Sequence, residues 1–291
     1  MARSSSLVKP ASQDLLHLTV LRTARLSPHW MRVTLGGGDI DRFTPMGFDQ
    51  WFRIFLPLGG DDALERIPAK ANRIFGYLKY LRIPDGVRPV MRNYTVRAFR
   101  PATADAGAEL DVDFVLHGDA SDGTAGPASR WAASAEPGES VVIIDEGLGF
   151  NPERGVDRVV LVADETGVPA VAGVCASLPD TATGLVLVEA PTADDVLEFA
   201  TPAGVEVRWL VRDADTKPGA AALAALEQAA LPAAPFHAFI VGEQALPTSA
   251  RRHLVAQGVD KHAISFVGYW RVGAASPTPK SQQVATEGSH R

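Results

Sequence analysis

The sequence is nearly without cysteine: one residue, Cys175, in 291. A single thiol closes no intrachain disulfide and builds no all-cysteine zinc or iron–sulfur site. Cys175 sits in the apolar run 168–178 with no base nearby in sequence, so it reads as a small core residue, not a nucleophile. The seven histidines never recur at the His-x-x-x-His spacing of a helical metal site, and no protein-bound metal is expected. No apolar run reaches the length needed to span a bilayer. Residues 1–13 carry Arg3 and Lys9 but no apolar h-region, so a cytoplasmic protein without membrane insertion is expected. Positive charge is in deficit, with 28 Lys/Arg against 34 Asp/Glu, which argues against a nucleic-acid binder. No internal repeat is visible.

What charge there is falls unevenly. Residues 66–100 hold nine Lys/Arg and one acid, Asp85, whereas 101–200 hold three arginines against nineteen acids. A basic stretch within an acidic chain suggests a site for an anionic ligand. For Lys70–Arg82 alone a solvated basic helix is the favoured reading, with a helix expected over 67–81.

The first half reads as strands divided by turns, at 17–23, 30–35, 51–56, 92–100, 109–117 and 140–144. Short strands with few helices imply an antiparallel barrel or sandwich. After about Asn151 the rhythm changes. Arg158–Ala163 is a nearly continuous apolar run, as in a parallel strand covered on both faces. Strands at 184–189, 205–211 and 236–241 follow, with helices over 168–177, 220–230 and 246–257. Such alternation implies a doubly wound α/β domain whose ligands lie beyond the carboxyl ends of its strands. Two domains are expected, 14–151 and 152–273, with a disordered Ser/Pro/Gln-rich tail at 274–291.

The basic stretch ends in Arg92-Asn93-Tyr94-Thr95-Val96-Arg97. On a strand, Arg92, Tyr94 and Val96 share one face and Asn93, Thr95 and Arg97 the other. Arg92 can give a pyrophosphate two charge-assisted hydrogen bonds. Tyr94 can cover a planar ring or bond a ribose, and Thr95 offers a hydroxyl and an N–H to a ring nitrogen. Further on, Val115-Leu116-His117-Gly118 closes a strand with an imidazole and a glycine. In Gly126-Pro127-Ala128-Ser129-Arg130-Trp131-Ala132, small residues permit close approach, and a helix starting near Pro127 aims N–H groups at phosphate.

Together these segments resemble the siderophore-interacting protein family, a branch of the ferredoxin-reductase-like flavoproteins. The resemblance continues through Asp164-Glu165-Thr166-Gly167, Val241-Gly242-Glu243 with Arg251-Arg252, and Gly268-Tyr269-Trp270-Arg271-Val272-Gly273. It implies an N-terminal antiparallel Greek-key β-barrel that binds FAD, followed by a doubly wound α/β domain that binds NAD(P)H. The implied activity is electron transfer from NADH or NADPH to a ferric siderophore, releasing Fe(II). Catalysis then needs the flavin and no protein acid or base.

The cofactor residues implied are Arg92, Tyr94, Thr95, Val96, His117, Gly118, Gly126, Ala128, Ser129, Trp131, Thr166 and Trp270. Arg53, Arg97 and Arg130 are candidate guides for an anionic ferric chelate. Trp131 and Trp270 also read as ordinary core aromatics, Thr166 as a helix cap, and Asp164 and Glu165 as organisers of their turn. Three features depart from the family pattern. Asp145-Glu146-Gly147 stands where a Gly-Pro-x-Gly-type loop is usual, and its acids should repel phosphate. Gly167-Val168 replaces a common Ala-Leu, and Trp51 stands about where a histidine is frequent.

The first βα turn lacks Gly-x-Gly-x-x-Gly, which leaves NADH and NADPH undistinguished. Arg208 or Arg212 could meet a 2′-phosphate. A reduced ferredoxin is an alternative donor, and a monomer is expected. A general flavin or quinone reductase and a non-catalytic carrier of ferric chelates are the competing readings.

Overall fold

The computed structural model describes residues 7–57, 62–68, 74–118 and 124–273. The reading of 274–291 as a disordered tail lies outside them. One compact unit spans Val8–Leu148 and the other begins at Gly149.

The first unit is built on seven strands: β1 (Leu15–Ser27), β2 (Trp30–Gly36), β3 (Trp51–Leu56), β4 (Val90–Thr95), β5 (Ala98–Arg100), β6 (Glu109–Val115) and β7 (Ser140–Gly147). They pair in the order β4-β3-β7-β1-β2-β6-β5, antiparallel throughout. Alternation sets the inner face. Leu16, Leu18 and Val20 of β1, with Leu110, Val112 and Phe114 of β6, enter one core. The connection from β6 to β7 carries the helix α3 (Pro127–Ser134) and returns the chain beside β1, a Greek-key arrangement.

The run 92–100, expected as one strand, is two. After Thr95 the chain changes partner: the Val96 N–H donates to the Gln50 carbonyl at 2.8 Å and the Arg97 N–H to the Asp111 carbonyl at 2.9 Å. β4 pairs with β3, and β5 with β6. This corner joins the two edge strands and curls the sheet into its barrel.

The expected helix over 67–81 is also revised. Short helices α1 (Asp62–Glu65) and α2 (Ile74–Leu81) stand there, and 69–73 lie outside the described residues. Their Leu64 and Tyr80, with Ile67 between them, pack on Phe55, Val142 and Ile144, covering the outer face of β3 and β7. The basic segment thus doubles as a lid on apolar sheet surface.

The second unit is a five-stranded parallel sheet of β8 (Arg158–Ala163), β9 (Thr183–Ala190), β10 (Gly204–Val211), β11 (His237–Glu243) and β12 (Ile264–Trp270). The order β10-β9-β8-β11-β12 places the topological switch point between β8 and β11. Val159 to Ala163 are all fully buried, which explains the unbroken apolar run. Helices Val168–Ser177, Ala220–Gln228 and Ala245–Ala256 make the crossovers. Cys175 lies inside the first, its thiol pushed up to about 12 by burial, so the thiolate is inaccessible at neutral pH. His237 is another core residue. Burial holds it down at about 4, and its Nε2 lies 3.0 Å from the Ser265 hydroxyl.

Candidate functional site

The flavin motif lies on β4. Val90 and Tyr94 pack toward the barrel core while Met91 turns to the second cluster, so Arg92 shares the inward face with Tyr94. Burial lowers the Arg92 pKa, and among the described residues no carboxylate pairs with it. Among the described residues its hydrogen bond goes to the Met91 carbonyl at 2.8 Å. A desolvated guanidinium without an anion is a place prepared for one. The Tyr94 ring rests on Phe114 at 4.2 Å, and Phe114 on Trp131 at 5.5 Å. These three rings join β4, β6 and α3 into one wall. Burial raises the Tyr94 hydroxyl pKa, and none of the described side chains bonds that hydroxyl.

α3 begins at Pro127 with Gly126 as N-cap, no side-chain cap and no acid in its first turn. Its N-terminal dipole is thus unopposed, as an anion-binding end requires. A Cβ on Gly126 would stand 2.9 Å from His117 Cε1, so only glycine leaves room for the imidazole there. The Ser129 hydroxyl accepts from the His117 N–H at 3.2 Å and donates to its carbonyl at 3.3 Å, fixing the loop at Gly118. The donor set fits FAD: an unanswered cation, an uncapped helix end, an aromatic face and a glycine that admits the imidazole.

Several of the candidate residues are largely withdrawn from solvent. Trp131 is 5% exposed, and its Nε1–H donates to Glu139 at 2.9 Å. Val96 has its N–H taken by Gln50 and its side chain in the core. Ala128 is buried in the same core, and Thr95 is buried opposite Trp51.

The candidate substrate arginines separate. Arg53 is only 13% exposed and lies 2.9 Å from the Glu146 carboxylate, a charge contact without hydrogen-bond alignment. Arg97 approaches Asp113 at 3.5 Å, where Arg32 also grips that carboxylate at 2.7 and 2.8 Å, so its charge is shared. Arg130 is exposed on α3 and donates to the Ala125 carbonyl at 3.1 Å.

Asp145-Glu146-Gly147 is the end of β7 and not an open loop, and its acids are buried. Asp145 accepts from Gln50 at 2.8 Å and from the Gly147 N–H at 3.0 Å. Glu146 accepts from Lys9 and Gln13 at 3.0 Å each, while Val8 and Leu148 exchange backbone hydrogen bonds. The expected repulsion of phosphate is therefore replaced by an anchor for the segment preceding β1. Glu146→Ala should cost about 3 kcal/mol of unfolding free energy by stranding Arg53, whereas Lys9→Ala, which removes a half-exposed cation while Gln13 still donates to Glu146, should cost less than about 1 kcal/mol. Urea unfolding of both variants checks this, and equal losses would contradict the pairing.

In the second unit the residues expected at the ligand edge meet on one carboxylate. Thr166 donates to Asp164 Oδ1 from its N–H at 2.9 Å and its hydroxyl at 2.6 Å. Trp270 Nε1 donates to Oδ2 at 3.1 Å. Asp164 thus organises its turn, and Thr166 does not cap the helix at Val168. Burial first, then the charge of Glu165, pushes the Asp164 carboxyl up to about 7 against the pull of these donors.

Sequence reading missed a neighbouring network. Arg212 pairs with Glu165 at 2.7 Å and Glu189 at 2.8 Å, and Glu189 accepts three N–H groups at the start of the helix Ala220–Gln228. Neither Arg212 nor Arg208, which pairs with Glu206, is held ready for a 2′-phosphate. Local sequence carries no sign of this, because the partners lie 23 to 47 residues apart.

An antiparallel Greek-key unit followed by a parallel sheet with this strand order is the ferredoxin-reductase-like fold. The fold likeness extends to the ferredoxin reductase of carbazole 1,9a-dioxygenase, with TM-score 0.55 at 17% identity over 88% of this chain and 68% of that one. Residues 19–148 match the siderophore-interacting FAD-binding domain, and 156–273 match the siderophore-interacting protein description. The chain belongs to the siderophore-interacting protein family, and its cofactor is FAD.

An uncharacterised Mycobacterium tuberculosis protein is 34% identical over 275 residues, 90% of this chain and 92% of the relative. The ferric vibriobactin reductase ViuB of Vibrio cholerae is 28% identical, covering 88% and 89%. The NADPH-dependent ferric-chelate reductase of Escherichia coli is 29% identical, covering 87% and 91%. Among solved structures, a siderophore utilization protein from T. fusca gives TM-score 0.73 at 29% identity, covering 94% and 98%. No helix among the described residues is long and apolar enough to cross a membrane.

Proposed function

We propose that this chain is an NAD(P)H-dependent ferric-siderophore reductase that releases iron as Fe(II) in the cytoplasm. The barrel unit, 14–151, serves the flavin, and the α/β unit, 152–273, serves the nicotinamide donor. The observation that carries the reading is Arg92, a half-buried cation with no carboxylate partner among the described residues, on the same face of β4 as Tyr94. Two relatives bear the names of ferric-chelate reductases, which supports the acceptor.

Bound FAD would supply the conversion between two-electron and one-electron transfer. The protein's own part is binding and orientation. Arg92 and the N–H groups of α3 would hold the pyrophosphate. Tyr94 and Thr95 of β4 would receive the ring system or the ribose. His117, held over Gly126 and fixed by Ser129, would border the phosphate end. Thr166 and Trp270 would serve the nicotinamide at the carboxyl edge of the parallel sheet. Fe(II) is held poorly by hard oxygen chelators, so reduction is release.

Arg130 is the exposed cation beside the flavin motif and is assigned to the anionic chelate. Arg130→Ala should weaken ferric-chelate binding several-fold, by about 1 kcal/mol as for an exposed charge contact, with FAD affinity unchanged. Quenching titrations with a ferric chelate and with FAD measure the two separately. Equal loss of both would reassign Arg130 to the cofactor.

The direct test is spectroscopic. Purified protein should show flavin absorbance, bleach anaerobically with NADH or NADPH, and recover its colour with ferric chelates. A flavin that neither nucleotide bleaches would defeat the donor assignment. Faster recovery with free flavin or quinone than with any ferric chelate would defeat the acceptor.

A further inference from the structure

The carboxyl ends of β8, β11 and β12 converge on one side chain. Asp164 follows β8 directly and is fully buried. Both its oxygens accept twice: Oδ1 from the Thr166 N–H and hydroxyl, Oδ2 from the Glu243 N–H at 2.6 Å and from Trp270 Nε1 at 3.1 Å. Four donors from three segments saturate one carboxylate.

The backbone around it is arranged for this contact. Gly242 has φ +135°, and a Cβ there would stand 2.6 to 2.8 Å from the carboxyl atoms, so the β11 backbone closes on Asp164 only as glycine. Between β11 and β12 the register shifts: Gly242 is opposite Gly268, but Glu243 is opposite Trp270. The extra residue is a bulge, and bulges re-aim the side chains that follow them. Here the bulge brings the indole N–H to Asp164. The Trp270 backbone is anchored as well, its carbonyl accepting from the Gln244 N–H at 2.9 Å. Trp270 remains partly exposed, so one edge is held by the carboxylate while part of the ring reaches solvent.

A purely structural tryptophan would be buried with its N–H merely satisfied. This one stays at the ligand edge of the sheet beside a hydroxyl held by the same carboxylate. We propose that Asp164 is a positioning residue that holds the Trp270 indole and the Thr166 hydroxyl as one unit where the nicotinamide donor binds. The inference rests on the reading that this unit takes NAD(P)H.

Asp164→Ala removes both acceptor oxygens, so Trp270 and Thr166 are released together. Two readouts test this on the full chain. In the FAD-free protein, Trp270 emission is taken as the difference from a Trp270→Phe background. It should shift to the red and quench more readily with acrylamide in Asp164→Ala. In the FAD-loaded protein, stopped-flow reduction should show a limiting rate roughly 10- to 100-fold lower, with donor affinity changed less, as misplacement of a reacting pair predicts. Trp270→Phe should lose rate likewise, and the double variant should be no slower than the slower single one.

Unchanged Trp270 emission in Asp164→Ala, or a shifted emission with an unchanged limiting rate, would overturn the proposal. If Asp164→Ala does not fold, Trp270→Phe decides: reduction as fast as the wild type overturns it. Failure of the wider reading looks different, because the wild-type flavin itself would then bleach with neither nucleotide.

Discussion

Replacing Arg92 with leucine is expected to weaken FAD binding about 10- to 100-fold, the loss of one charge-assisted contact worth about 1.5–3 kcal/mol. The same substitution should raise the unfolding midpoint of the FAD-free protein. The opposition of sign follows from the surroundings of Arg92. Its guanidinium is desolvated and, among the described residues, bonds only to the neighbouring Met91 carbonyl and has no carboxylate partner. An apolar side chain of similar reach removes that cost. Thermal unfolding with and without FAD, together with a fluorescence titration, measures both effects. A lower midpoint without FAD would make Arg92 a structural residue and remove the main support for the flavin site. Arg92→Lys should recover part of the affinity, since a point charge remains but the planar fork does not.

The other large effect belongs to Glu189. This carboxylate is fully buried, accepts from Gly219, Ala221 and Ala222 N–H groups at 2.8 to 3.1 Å, and pairs with Arg212. Glu189→Ala should destabilise the α/β unit by about 3 kcal/mol or more, because three helix N–H groups and one face of Arg212 lose their acceptor together. Arg212 keeps Glu165, at 2.7 and 2.9 Å, so its charge is not wholly stranded. Glu189→Gln preserves volume and one acceptor oxygen and should cost about half as much. Urea unfolding followed by far-UV circular dichroism gives both numbers. Equal destabilisation by Ala and Gln would show that charge, and not the helix cap, dominates.

The change of sheet type was readable from the chain, for definite reasons. Alternation in 17–23 and 109–115 can bury only one face, whereas Val159–Ala163 is apolar on both, and these patterns separate an antiparallel from a parallel sheet. The corner at Val96-Arg97 was not readable. Both halves of 92–100 favour extended backbone, and only the competing partners β3 and β6 decide where the strand divides. Trp131 was ambiguous for the same kind of reason. An indole beside a phosphate-binding helix and an indole beneath it look alike in sequence, and Glu139 decides between them.

The acids at 145 and 146 are the clearest case. As a sequence they place two negative charges where phosphate is usually approached. In the structure Lys9, Gln13, Arg53 and Gln50 answer them, and the nearest of these in sequence is 92 or more residues away. Electrostatic effect depends on which charges are neighbours in space, and chain order does not record that.

By itself, then, the sequence determined the two-part architecture, the siderophore-interacting resemblance and the segments that would meet a flavin, because local motifs and periodicities carry those. Tertiary structure alone decided which charges are free. Among the described residues it left Arg92 without a carboxylate while committing Arg53, Arg97 and Arg212 to buried acids. It also gathered Thr166, Glu243 and Trp270 onto Asp164. The physical reason is that desolvation and pairing act through space, at contacts the fold makes between residues as much as 106 positions apart.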